Sequence, residues 1–197
     1  MSTAVSVISP AAVEVEDRTG AAKARLATMV ATTPHGLLQW ERPGRSAAFS
    51  RRDTLLPGFD AAAATAEAAG FTPFIRPVGG RLAAYHESSL VLDLLLRSTE
   101  PRSGISARFA AFSEALADGL QLLGVDARIG QVPDEYCPGE WSVNHAGRIK
   151  LIGTGQRIVR DAVQLTAVIV VRDPDPLRDV MCDVYDDLDL PIDPWSV

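Results

Sequence analysis

The run Leu165–Val171 (LTAVIVV) is almost wholly apolar. A strand with no polar alternation is covered on both of its faces, so it needs a layer of structure on either side of it. The spacing predicts one such layer. From Ser106 to Leu123, the residues Phe109, Phe112, Leu116, Leu120 and Leu123 recur at three- and four-residue steps, and Gly124 follows as a helix terminator. Around these two elements, helices and strands interleave without a regular βαβ alternation. Helices are expected over Asp17–Val30, Phe59–Ala69 and Leu177–Leu188. Strands are expected over Leu37–Trp40, Ala47–Ser50, Phe71–Arg76, Arg81–Leu96 (one long strand or two in succession), Val125–Val132, Ile149–Ile152 and Gln156–Arg172. That mixture reads as an α+β fold with a mixed β-sheet and flanking helices. Residues 1–16 are expected to form an N-terminal arm and 17–197 a single domain.

The formal charge of −6 and the pI of about 5.0 argue against a general nucleic-acid binder, which needs a basic stripe. Local basic clusters remain: Arg42, Arg45, Arg51 and Arg52 in one, Arg76 and Arg81 in another. No apolar run reaches the ~18 residues of a membrane helix, and the N-terminus lacks the basic start and apolar core of a signal peptide. Two cysteines make no disulfide framework and have no metal-ligand spacing. The expectation is a cytoplasmic protein with free thiols, no bound metal and no membrane association.

Chemistry concentrates between Asp134 and Arg160. The chain has two lysines, Lys23 and Lys150, and carries its other positive charge on arginine. Lys150 lies in an apolar strand pattern and is followed by Gly153, Thr154 and Gly155. In a cleft it is a compact cation for a carboxylate, a phosphate or a developing oxyanion. Otherwise it is a strand-end lysine snorkelling to water. Cys137 sits beside Pro138-Gly139, on a turn, where a nearby cation would favour its thiolate and make it a nucleophile; otherwise it is a small buried hydrophobe. Cys182, between Met181 and Val184, reads as helix packing. Gly79-Gly80 between Arg76 and Arg81 is a hairpin or bulge, or an anion-binding loop. His86, on the next strand, is a core or surface histidine unless the loop recruits it. The acidic run Asp183, Asp186, Asp187, Asp189 reads as a solvated face.

Taken in order, Arg76-Pro77-Val78-Gly79-Gly80, Tyr85-His86, a long helix, and then Lys150-Leu-Ile-Gly153-Thr154-Gly155-Gln156-Arg157 resemble a known pattern. It is that of the catalytic domain shared by lipoate–protein ligase A, octanoyltransferase and biotin–protein ligase. The lysine segment carries the resemblance. The glycine loop is a partial match, with Pro77 and Arg81 where that family usually has a second Arg and a third Gly. The segment Tyr136-Cys137-Pro138-Gly139-Glu140-Trp141-Ser142 is similar to the one that carries the acyl-accepting cysteine in lipoate-ligase-like octanoyl transferases.

The resemblance implies attachment of a lipoyl or octanoyl group to a lysine of a lipoyl-domain or glycine-cleavage-type carrier protein. Two chemistries are implied. A ligase uses ATP with Mg to make an acyl-adenylate, which Lys150 contacts. A transferase needs no cofactor and holds the acyl group as a thioester on Cys137. Lys150 and Cys137 are thus the expected catalytic residues. Arg76, Gly79, Gly80, His86, Gly153, Thr154, Gly155 and Gln156 are the expected acyl- and nucleotide-binding set. Ile75, Leu82 and Ala84 are expected to line an acyl tunnel, and the Arg42–Arg52 cluster to dock the carrier. Many members carry a further C-terminal domain, so an ATP-dependent reaction here implies a self-sufficient core or a partner subunit. The alternative is a non-catalytic acyl- or carrier-binding module on the same fold.

Overall fold

The computed structural model describes residues 5–8, 24, 27 and 36–197. Among these, two sheets and three α-helices with described bounds form an α+β architecture. The large sheet has the order β1-β2-β6-β10-β9-β8-β7. Its strands are β1 (Val5–Ile8), β2 (Gly36–Glu41), β6 (Ser89–Arg97), β7 (Ala127–Ile129), β8 (Val143–His145), β9 (Ile149–Ile158) and β10 (Ala162–Val170). The small sheet has the order β4-β3-β5, from β3 (Ser46–Phe49), β4 (Thr72–Ile75) and β5 (Ala83–Tyr85). The helices are α1 (Phe59–Ala68), α2 (Ile105–Leu122) and α3 (Asp175–Asp187). Both sheets are mixed: β1 runs parallel to β2 and β4 parallel to β3, and the other pairs are antiparallel.

The apolar run anticipated the centre of this arrangement. Strand β10 is the middle of the large sheet, antiparallel to β6 over Ala162–Val170 and to β9 over Val163–Ile169. On one face Val163, Leu165 and Ala167 meet Phe112 and Ala117 of α2, with Ile152 of β9. On the other, Val168 of β10 and Val91 of β6 join a core built with the small sheet, α1 and α3, in which Phe49, Leu82, Leu177, Met181 and Tyr185 are fully buried. Asp187, expected on a solvated face, accepts from Thr65 Oγ1 at 2.5 Å and ties α3 to α1.

Several expected boundaries shift. Arg81–Leu96 is two strands, separated by a turn closed by Ser89 N donating to His86 O. Gly153–Gly155 do not form a loop at a strand entry. They lie inside β9, paired with Val168, Ala167 and Thr166 of β10. Val5–Ile8, expected in the arm, is an edge strand. Most of the expected helix Asp17–Val30, with Lys23 in it, lies outside the described residues; Ala24 and Ala27 are helical.

Candidate functional site

The turn between β7 and β8 is held open by a buried ion pair. Glu135 is 1% exposed and Lys150 also 1%. Glu135 Oε1 accepts from Lys150 Nζ at 3.2 Å, from Ser142 Oγ at 2.6 Å and from Gly139 N at 3.0 Å, while its Oε2 accepts from Val132 N at 3.1 Å. Lys150 Nζ also donates to Tyr136 O at 2.9 Å and Cys137 O at 2.8 Å, and stands 4.6 Å from the centre of the Tyr136 ring. An ammonium has three N–H donors, and these three acceptors use them all. Burial pushes Lys150 below its ordinary value, with the charges of Cys137 and Glu135 pulling the other way. Lys150 therefore acts on the turn itself, and through the turn on Cys137.

Cys137 has φ +44°, in the left-handed region that non-glycine residues seldom occupy. Its backbone is clamped on both sides: Cys137 N donates to Tyr185 Oη at 2.6 Å, and Cys137 O accepts from Lys150. Tyr185 Oη in turn donates to Leu82 O at 3.0 Å, so one buried phenol joins the cysteine turn to the chain after the glycine loop. Backbone strain of this kind costs about 1–3 kcal/mol and persists only where the surroundings enforce it. Here they aim the thiol at the glycine loop.

There, Cys137 Sγ accepts from Arg76 Nη2 at 3.2 Å and from Arg81 N at 3.2 Å. Arg76 Nη2 is shared with Gly79 O at 2.9 Å and Arg81 O at 2.5 Å, so the guanidinium also closes the loop. The Arg81 side chain is held at 3.3 Å by Asp53, which is fully buried and accepts from Ser50 N at 2.7 Å. Gly80 has φ +103°, and a Cβ on it would stand 2.6 Å from both Cys137 Sγ and Arg76 Nη2. Only glycine lets the loop approach the sulfur this closely. Burial raises the Cys137 thiol. The charges of Arg76 and Lys150 and the Arg81 N–H outweigh it, and the thiol lies below its ordinary value. Cys182 goes the other way, raised by burial and by the carboxylates of Asp183 and Asp179.

Six of the expected site residues thus converge: Cys137, Lys150, Arg76, Gly79 and Gly80 directly, and Gly155 by packing, since a Cβ on it would meet Val78 at 3.2 Å. Gly153 lies beside the Lys150 side chain. The other three face elsewhere. Thr154 Oγ1 donates to Trp141 O at 3.3 Å. Gln156 joins β9 to α2, accepting from Arg108 Nε at 2.9 Å and donating to Ile105 O at 3.3 Å. His86 is 2% exposed and has both ring nitrogens engaged, Nδ1 accepting from Ser88 N at 3.1 Å and Nε2 bonding Asp173 O at 2.8 Å. Asp53, Glu135 and Tyr185 were missed. Glu135 stands two residues before the cysteine and could have been paired with the lone strand lysine. Asp53 and Tyr185 come from distant segments, and nothing local marks them.

Two hollows adjoin Arg76. A cavity of about 60 Å³ is lined by Phe74, Val78, Tyr85, Val91 and Val168 together with a group of polar side chains. The expected tunnel residues do not line it: Leu82 and Ala84 are buried in the core, and Ile75 lies on the second hollow. That second hollow is an open groove of about 890 Å³ carrying Arg51, Arg52, Arg76 and Arg157. Arg42 lies on a different groove, beside Trp40, and Arg45 stacks on Phe71 and faces Glu87, so the expected basic cluster is divided. Among the described residues no three His, Cys, Asp or Glu side chains gather as a metal site, and no helix is long and apolar enough to cross a membrane.

The sequence matches no protein-family model and no curated protein. Solved structures do match. A lipoate-protein ligase A bound with ATP superposes with a TM-score of 0.67 over 95% of this chain and 83% of that one, at 18% identity. The fold is that of lipoate–protein ligases. The same fold is found in a bi-partite lipoate protein ligase from Thermoplasma acidophilum, solved with its E2 lipoyl domain (TM-score 0.66, 19% identity, 90% of this chain and 65% of that one). It is also found in a P. falciparum protein in complex with lipoate (TM-score 0.60, 9% identity, 93% and 61%). Within this lipoate–protein ligase fold, the glycine loop and the lysine segment of the present chain meet at one cysteine.

Proposed function

We propose that this chain is an acyltransferase on the lipoate–protein ligase fold, with Cys137 as nucleophile. Its acceptor is a lysine of a lipoyl-domain or glycine-cleavage-type carrier. The observation that carries the reading is the Cys137 thiol held by the Arg76 guanidinium and the Arg81 N–H, with its pKa lowered. The Cys137 thiolate attacks the carbonyl of a thioester donor. The donor's C–S bond breaks, and its thiol leaves with a proton from water. The carrier lysine, as a neutral amine, then attacks the new thioester; an amide forms, Cys137 leaves as thiolate, and the amine's proton passes to solvent. Arg76, already at the sulfur, is the cation beside the oxyanion of each step. Lys150, its donors consumed by Glu135, Tyr136 and Cys137, serves as a positioning residue.

A second reading is an ATP-dependent ligase. It is favoured by the ATP-bound neighbour and by the arginine-lined groove at Arg76, which suits phosphates. Mg would then come with the nucleotide's phosphates. The fold's implied acyl groups, lipoyl and octanoyl, serve either reading. Intact mass separates them. Incubation with an acyl thioester is expected to give a hydroxylamine-sensitive adduct on the wild type and none on Cys137→Ala. ATP-dependent acylation of a carrier by both proteins would establish the ligase. Binding of acyl donor or carrier without any turnover would establish a binding module.

A further inference from the structure

The small cavity beside Arg76 is not an ordinary hydrocarbon pocket. The β2-β6-β10 part of the large sheet lines it with Glu41, Asp93, Gln164 and Thr166. Gln164 is 2% exposed. Its Nε2 donates to Asp93 Oδ1 at 2.9 Å and reaches Thr166 Oγ1 at 3.3 Å, and Thr166 Oγ1 donates to Asp93 Oδ1 at 2.6 Å. These bonds fix the amide's orientation, because turning it over would set its oxygen against the Asp93 carboxylate. Gln164 Oε1 is then left buried with no partner. From the small-sheet side, Arg76 lines the same cavity and its Nε is likewise buried with no partner. A buried acceptor or donor left without a bond costs roughly 1–3 kcal/mol, so a site built this way is completed by what binds in it. The lining thus holds an unpaired N–H donor, in Arg76, and an unpaired acceptor, in Gln164.

We propose that this cavity selects an acyl group with an amine at its far end, its carbonyl toward Arg76 and its amine toward Gln164. Such a group replaces the octanoyl or lipoyl chain that the fold alone suggests. A plain hydrocarbon would leave Gln164 Oε1 without a donor. The inference names the substrate of the transfer reaction proposed above and rests on that reading for its acyl donor, but the cavity can be tested without any transfer.

The test is titration calorimetry of the wild-type protein with ε-aminocaproate and with heptanoate, which puts a methyl where the first has its ammonium. The amino acid is expected to bind roughly tenfold or more tightly, the value of one charged hydrogen bond. Gln164→Leu is expected to reverse the order, and Thr166→Val, which unpins the amide, to narrow it. Equal binding, a preference for heptanoate, or no binding of either acid to wild type would overturn the inference; so would a preference unchanged in Gln164→Leu. Should Gln164→Leu fail to fold, the wild-type pair and Thr166→Val decide. Intact mass with the two matching thioesters tests the parent reading separately. Binding of the amino acid with no adduct on Cys137 retains the cavity and removes the transfer. Faster acylation by the heptanoyl thioester retains the transfer and removes the amine.

Discussion

The two faces of the large sheet are built from the same strands and serve opposite ends. Along β10, Val163, Leu165 and Ala167 point to α2 and form a dry aliphatic core. Gln164, Thr166 and Val168 point to the cavity, where they meet Asp93 and Val91 of β6. Side chains alternate across a strand, so one run of nine residues supplies a packing surface and a polar floor at once. The α2 face is satisfied by contact alone. The cavity face keeps buried polar atoms, two of them unpartnered in Arg76 and Gln164, and packing does not explain such atoms. A protein that wanted only stability would have filled that face with Leu and Val.

The largest effect is expected where buried charge holds the cavity side together. Lys150→Met leaves Glu135 as an uncompensated buried carboxylate and should cost about 3–5 kcal/mol in denaturant unfolding. Lys150→Met with Glu135→Gln should recover part of that loss, because the remaining amide needs no countercharge. If the single change costs no more than an ordinary surface substitution, the buried pair does not hold the turn and the account of the turn fails.

Adjacent residues on β10 test the two faces against each other. Leu165→Ala should cost about 2–5 kcal/mol, the usual range for a truncated buried leucine. Gln164→Leu, one position away and as deeply buried, should change stability by less than about 1 kcal/mol. It loses the bonds to Asp93 and Thr166, but it also removes an unpaired oxygen. A Gln164→Leu protein as damaged as Leu165→Ala would mean that this amide is structural, and the contrast between the faces would collapse.

Legibility in the sequence follows the same division. The α2 face was readable because it is periodic: the helix expected over Ser106–Leu123 lies at Ile105–Leu122, and the apolar run lies in the central strand. Helix Phe59–Ala69 was readable for the same kind of reason, a strong helix former run stopped by Gly70. On the cavity side, type and local spacing singled out Cys137, Lys150, Arg76 and Gly80, which the fold brings together. The three acceptors that Lys150 meets on its own chain were not visible there as neighbours. Thr154 and Gln156 were drawn into the site by their motif, yet their strand turns them to Trp141 and α2. Asp53 and Tyr185 lie far from Cys137 in sequence and meet it only through the tertiary fold, and no period or motif announces such a contact. Gln164 was hidden by the two-residue alternation, which a largely apolar strand masks.

The smallest expected effect is electrostatic, and it is read from the two thiols. Alkylation rate against pH reports the thiolate fraction of each, resolved by peptide mass. Cys137 should titrate below the ordinary thiol value of about 8.5 and Cys182 above it. Arg76→Gln should move the Cys137 midpoint upward and leave that of Cys182 in place; each unit of that movement corresponds to about 1.4 kcal/mol. Gly80→Ala should do the same by a steric route, since its new methyl would occupy the space shared by Sγ and the guanidinium. The sign carries over to stability. A thiol whose folded value is depressed contributes stability that is present above its unfolded value and is lost as pH falls through its folded value. Wild type should therefore gain on Cys137→Ser as pH rises from the depressed folded value toward about 8.5, and the gain should shrink in the Arg76→Gln background. A Cys137 midpoint at or above that of Cys182 would mean that the arginine does not polarise the sulfur, and the cavity face would then be a polar pocket beside an inert thiol.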